Sequence, residues 1–365
     1  MGVLAAVGLA PFPLVGLFAG AWVDRLRRRP ILIAADIGRA VALAVIPIAY
    51  LLDTLPIELL WAVAFLTGAQ SVFFDVAYVA FLPALVPRDR LLDGNAKLQV
   101  SASAGQVLGP GLAGALVGWL TAPFAILVDA GSYLVSALLI RRIQTSEPVA
   151  APSTGTHLWR EIGEGVRIVR GQVTLRAIAA CSATTSLFGF AFLAIYVLYM
   201  TRDLHLRATG VGLVFALGGV GALIGAALAG PLTRRVGLGP AMIGGQLLFG
   251  LFGLLVPLAV LVPHHALPLI AAAEFCQWLA LLVYDVNAIS LRQALAPRRL
   301  QGRVTATMRV LITGVQPIGA LAGGWLGGQI GLAQTLVVGE LGMFISVLWL
   351  LASPLRHLRT LPSEP

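Results

Sequence analysis

The sequence predicts an all-α membrane protein built as two pseudo-symmetric helical halves, with five spanning helices in the first half and six in the second. Three observations predict it. Only 11% of the 365 residues are charged, against 58% hydrophobic and a mean hydropathy of +0.91, whereas a soluble domain uses about a quarter charged residues to cover its surface. Apolar runs of membrane-spanning length follow one another from end to end, separated by short charged stretches. A shift of 210 residues lays the chain on itself.

Eleven spans follow in order: 1–23, 30–52, 57–86, 99–120, 124–141, 176–200, 209–231, 238–262, 267–292, 304–329 and 334–353. Backbone groups in lipid must bond within their own segment, so runs of this length are helices. They lack the polar–apolar alternation of a membrane β-strand. The first run is no signal peptide, because its charge follows the apolar core, at Arg25, Arg27, Arg28 and Arg29, where a signal peptide places it before.

Charge sets the expected orientation. The segments 25–29, 88–97, 141–176, 234–235, 292–309 and 356–359 together hold 22 of the 25 basic residues. They fall on one side if the chain alternates from the first loop. Basic residues stay on the cytoplasmic side, which puts the C-terminus inside and the start of this chain outside. Spread over many loops, these charges do not form a nucleic-acid-binding face.

The repeat marks the halves. At the 210-residue offset Gly20, Arg25, Pro30 and Ile33 coincide with Gly230, Arg235, Pro240 and Ile243. So do Asp75, Val76, Ala84, Leu85, Pro87 and Arg88 with Asp285, Val286, Ala294, Leu295, Pro297 and Arg298. The expected organisation is a first half over 1–142, a cytoplasmic linker over 143–175, a second half over 176–355 and a tail over 356–365. Within the linker, Leu158, Ile162, Val166 and Val169 share a face opposite Arg160, Glu161, Glu164 and Arg167, the pattern of a short amphipathic helix on the membrane surface or of a solvated connector.

Duplicated helical halves joined by a long cytoplasmic loop are a transporter architecture, with a small-molecule site near the midplane and alternating access. Other chemistries lack their motifs. There is no G-x-x-x-x-G-K-[ST] phosphate loop and no H-E-x-x-H, and the five histidines sit in loops or the tail. No cofactor or metal is expected. Cys181 and Cys276 lie in apolar runs and read as packing residues.

The stretch Gly20, Asp24, Arg25, Arg28, Arg29 resembles the signature loop G-x-x-x-D-R-x-G-R-R of the major facilitator superfamily, with Arg27 standing where that family has glycine. Gly105, Gly109, Pro110 and Gly114 resemble its fifth-helix motif, which marks exporters and antiporters; Ala113 replaces one of the motif's final glycines. "FFDVAYVAFLPALVPRDRL", "EGVRIVR" and "GRVTATMRVL" are similar to the branch that contains enterobactin exporters and macrolide-efflux proteins. The resemblance implies the major facilitator fold. It implies a monomer in the plasma membrane that exports an amphipathic small molecule in exchange for protons. An importer on the same fold, or an inactive truncated form, is the alternative. It also implies that Asp24 and its arginines latch the two halves in the outward-facing state. The small faces of Gly105–Gly114, "GALIG" at 221–225 and "GGWLGG" at 323–328 predict a sliding seam between the halves.

Ionisable residues within spans are functional candidates by default: Asp36, Arg39, Asp75, Asp129, Glu274, Asp285 and Glu340. Arg39 stands three residues after Asp36, the spacing of an intrahelical pair. Asp75 and Asp285 are repeat mates, which favours a structural network near the cytoplasmic ends. Glu274 has Ala64 as its mate, and shares a helical face with Gln277 and with Asp285 eleven residues on. A buried carboxyl without a basic partner can bind a substrate group or carry a proton, so Glu274 is the first candidate and Glu340 the second.

One expectation concerns the beginning of the chain. The span 176–200 has no mate, which would need about 25 residues ahead of Met1. Five helices in the first half against the family's six point to a start internal to a longer reading frame, or else to a shortened protein. A chain without that helix is expected to be less stable and poorly active.

Overall fold

The computed structural model describes residues 2–15, 26–85, 91–143, 166–295 and 301–360, and the described residues form helices and short connections without a strand. The helices are α1 (Gly2–Leu9), α2 (Arg28–Leu51), α3 (Ile57–Leu85), α4 (Leu91–Leu120), α5 (Ala122–Arg142), α6 (Val173–Arg202), α7 (Ala208–Val236), α8 (Leu238–Gly253), α9 (Ala266–Leu295), α10 (Gln301–Gly314), α11 (Gln316–Gln329) and α12 (Leu332–Ile345). Among the described residues nine helical segments are long and apolar enough to cross a membrane. The expected spans 1–23 and 99–120 fall on two shorter apolar stretches, Gly2–Val15 and Leu108–Leu120.

The repeat is written into the helix boundaries. Helices α2 and α5 begin at Arg28 and Ala122, and α8 and α12 begin 210 residues later, at Leu238 and Leu332. The turns before them test the chemistry of each mate. Gly331 precedes α12 with φ 93 and ψ 162, and Thr121 precedes α5 with φ 70 and ψ 160. That region is open to glycine and strained for a β-branched residue by about 1–3 kcal/mol. Replacing Thr121 with glycine is therefore expected to raise the thermal midpoint of the purified protein; a lower midpoint would mean that the threonine side chain compensates for the strain. The second pair diverges. Gly237 sits at φ 96 before α8, while its mate Arg27 takes φ −67 and ψ 128 before α2. An arginine in place of glycine does change the turn, because its Cβ disfavours positive φ.

The chain divides into two compact units, one from Val3–Gly155 and the other from Thr156–Pro365 with Met1–Gly2. In the first, α2 packs on α3 and α5, and Leu32, Ala77 and Phe81 form a buried cluster. In the second, α7 packs on α9, and α6 on α11 and α12. Its largest core gathers Tyr196, Tyr199, Val214, Ile270 and Leu336. Outward positions remain apolar, as lipid requires: Leu112, Trp119 and Trp325 are all exposed.

Two of the glycine stripes have packed neighbours within the second unit. Side chains at Gly221 and Gly225 would collide with the Phe275 and Leu279 carbonyls of α9. Side chains at Gly319 and Gly323 would collide with the Leu187 and Ala191 carbonyls of α6. These small faces let neighbouring backbones touch inside the second unit. Beta carbons at Gly105 and Gly109 would meet no atom within 4 Å, so neither glycine is filled by a packed neighbour. The chain passes through Pro110 without leaving the α4 helix. Of the expected amphipathic helix, 151–165 lies outside the described residues. The helical turn at 166–171 buries Val169 against Leu175, Val304 and Met308.

Candidate functional site: a carboxyl in an aromatic cavity

Helices of the second unit enclose a cavity of about 200 Å³. Its lining is mostly aromatic and apolar: Phe192 and Tyr196 from α6, Phe215 from α7, Phe249 from α8, Trp278 from α9 and Met343 from α12. Among the described residues its one charged lining side chain is Glu274, on α9, which is 3% exposed. Helical spacing explains the grouping on α9, since residues three and four apart share a face. Glu274, Gln277, Trp278 and Leu281 all line the cavity.

The Glu274 carboxyl is held from two sides. The Tyr196 hydroxyl donates to Oε2 at 2.9 Å and the Trp278 indole donates to Oε1 at 2.8 Å. Both donors are neutral, and among the described residues no basic side chain pairs with it. The site therefore fixes the orientation of a carboxyl without neutralising a negative charge on it. Phe192 and Phe215 buttress Tyr196, with ring centroids at 4.5 Å and 5.7 Å. Also on α7, Gly218 makes room for the Glu274 stem and the Trp278 ring, which a β carbon would meet at 2.8 Å and 2.9 Å.

A second carboxyl lies behind the first. Glu340 on α12 is fully buried, and the Gln277 amide Nε2 donates to both its oxygens, at 3.1 and 3.2 Å. Gly253 at the end of α8 permits this contact, because a β carbon there would occupy the space of the Glu340 carboxylate and the Gln277 amide. A further polar cluster joins α6, α8 and the break after α12. Gln246 donates to Thr185 at 2.9 Å and to Ser346 at 2.8 Å, and the Ser346 hydroxyl donates to the Met343 carbonyl at 2.6 Å.

The other sequence candidates lie elsewhere. Asp285 shares the face of Glu274 but not its cavity. Eleven residues of helix separate the two by about 16 Å along the axis, so a common face does not make a common site. Asp36 and Arg39 form a buried intrahelical pair at 2.5 Å, with the guanidinium lying 4.4 Å from the ring centres of both Phe74 and Tyr133. Asp75 is half-buried on α3, and Asp129 is exposed on α5 with its carbonyl accepting from the Ser132 hydroxyl. Arg29 donates from Nε to the Ile140 carbonyl at 3.3 Å and from Nη2 to the Arg141 carbonyl. It thus caps the C-terminal end of α5, where the helix dipole favours a cation. Arg28 is half-buried and Gly114 half-buried on α4. Gly20, Asp24 and Arg25 lie outside the described residues. Sequence reasoning missed Tyr196 and Gly253, which come from other helices. Trp278, four residues after Glu274, carried a readable signal in its spacing.

A bundle of apolar helices in two repeat-related units, with a carboxyl in an aromatic cavity, is a membrane transporter of the major facilitator fold and not an enzyme. The chain belongs to the transmembrane secretion effector family of that superfamily, whose family model matches residues 2–365. It is 26% identical to the multidrug efflux pump Tap of Mycolicibacterium fortuitum, over 94% of this chain and 84% of that protein. It is 26% identical to the enterobactin exporter EntS of Citrobacter koseri, over 82% of this chain and 72% of that protein. Its fold matches the crystal structure of a bacterial homologue of the human lysosomal transporter Spinster in its inward-facing, occupied conformation. The TM-score is 0.73 at 14% identity, with 99% of this chain and 90% of that chain covered.

Proposed function

We propose that the protein is a secondary active exporter that moves cationic amphipathic molecules outward across the plasma membrane in exchange for protons, by alternating access. The observation that carries this reading is Glu274, a carboxyl oriented by neutral donors and ringed by aromatic side chains. Aromatic faces attract cations, by up to about 2 kcal/mol when desolvated, and a carboxylate without a basic neighbour is completed by a cation or by a proton. The family relatives named as efflux pumps and exporters support outward transport. The arginine asymmetry supports a cytoplasmic C-terminus, with the start of this chain outside. Asp24 and its arginines are the proposed latch of the outward-facing state.

Direction separates this reading from an importer on the same fold. Cells that overproduce the protein are expected to hold less ethidium than cells without it, and to regain it when the proton gradient is collapsed. Higher ethidium in the overproducing cells would make it an importer.

A further inference from the structure

Gln277 touches Glu340 on one side and lines the Glu274 cavity on the other. We infer that Gln277 is a turning amide, a positioning residue that reports the protonation of Glu340 to the cation site at Glu274. The inference rests on the proposed role of Glu274 and adds a second proton site outside the cavity.

The argument is one of donors and acceptors. Ionised Glu340 can only accept, and a contact with Nε2 forked between its two oxygens suits that form. A proton bound to Glu340 turns one oxygen into a donor. That O–H needs an acceptor, and Nε2 can no longer serve that oxygen. Gln277 is 4% exposed and Glu340 is fully buried, so leaving the O–H unpaired would cost about 1–3 kcal/mol. Rotating the amide answers this at once: Oε1 accepts from the Glu340 O–H, and Nε2 turns its hydrogens to the cavity. The cavity wall then presents a donor next to Glu274 in place of a carbonyl oxygen, and a cation there is disfavoured. When a cation binds, the sequence reverses. The amide oxygen returns to the cavity, Glu340 releases its proton, and Glu274 releases its own. Atoms balance as one cation in and two protons out.

The surroundings suit this role. The titratable groups facing Glu340 are Glu274 from α9 and Tyr196 from α6. From α8 comes the bare backbone of Gly253, and among the described residues no cation stands in for the proton. Without a side chain at position 253 no carbon stands between the amide and the carboxyl.

The test is the binding of tetraphenylphosphonium, whose charge does not titrate, to the purified full chain in lipid nanodiscs as pH is varied. Two linked protons predict that affinity changes by about a hundredfold per pH unit at the steepest point. In Glu340→Gln and in Gln277→Leu the change is expected to fall to about tenfold per pH unit, whatever happens to the absolute affinity. Either variant keeping the wild-type slope overturns the inference; Gln277→Leu leaves both carboxyls in place should Glu340→Gln fail to fold. A wild-type slope of a single proton also overturns it. Loss of binding in Glu274→Gln speaks to the cation site alone, so the failure of that reading is seen separately: tight binding in Glu274→Gln removes the site, whatever Glu340 does.

Discussion

Glu274→Gln is expected to abolish the export of cationic substrates while the protein still reaches the membrane. Removing one partner of a buried charge pair costs about 2–5 kcal/mol, which is a loss of at least about thirtyfold in affinity. The amide oxygen can still accept from Tyr196 or from Trp278, but not from both in the present geometry, so a modest fall in thermal midpoint accompanies the loss of transport. Neutral amphiphiles separate the two effects. Their export is expected to fall only as far as the lower stability explains, because the aromatic lining is intact. Equal losses for charged and neutral compounds would show that Glu274 holds the cavity together and does not recognise charge. Ethidium and a neutral dye, measured in the same cells, read the difference.

The second large effect lies in the first unit and concerns folding. Arg39→Leu removes the cation that pairs with Asp36 at 2.5 Å and lies between the rings of Phe74 and Tyr133. Asp36 is 1% exposed, so the variant leaves a carboxyl buried without its partner, at a cost of about 3–5 kcal/mol. The expected result is little folded protein in the membrane. The double variant Asp36→Asn with Arg39→Leu removes the orphaned charge and is expected to recover much of the yield. Should Arg39→Leu accumulate and melt as the wild type does, the pair is not structural, and Asp36 returns as a candidate for substrate or proton binding.

These two residues show how far the sequence could be read. The Asp36–Arg39 pair was legible because both partners stand on one helix at a spacing that brings them together. Helix positions were legible for a similar reason: lipid demands long apolar segments, and the offset of 210 residues that aligned Asp75 with Asp285 also separates the starts of α2 and α8. The cavity was not legible. Glu274 stood out as an acid without a mate, but its partner Tyr196 comes from a helix 78 positions away in sequence. No periodicity connects the two. Face-sharing along α9 gives an angle but no axial distance, so it did not say whether Asp285 reaches the Glu274 cavity. The glycine pairs of α7 and α11 announced close helix contacts without naming the partner helix. Three-dimensional packing assigned them to α9 and α6.

The central claim is that proton movement drives cation export through the Glu274 cavity. Its most direct test is ethidium uptake into proteoliposomes holding the purified protein, with an acidic interior and the membrane potential clamped at zero. Uptake against the ethidium gradient is expected with the wild type, to stop when the pH gradient is collapsed, and to be absent in Glu274→Gln. Uptake that continues without the pH gradient, or that proceeds at the wild-type rate in Glu274→Gln, would contradict the account.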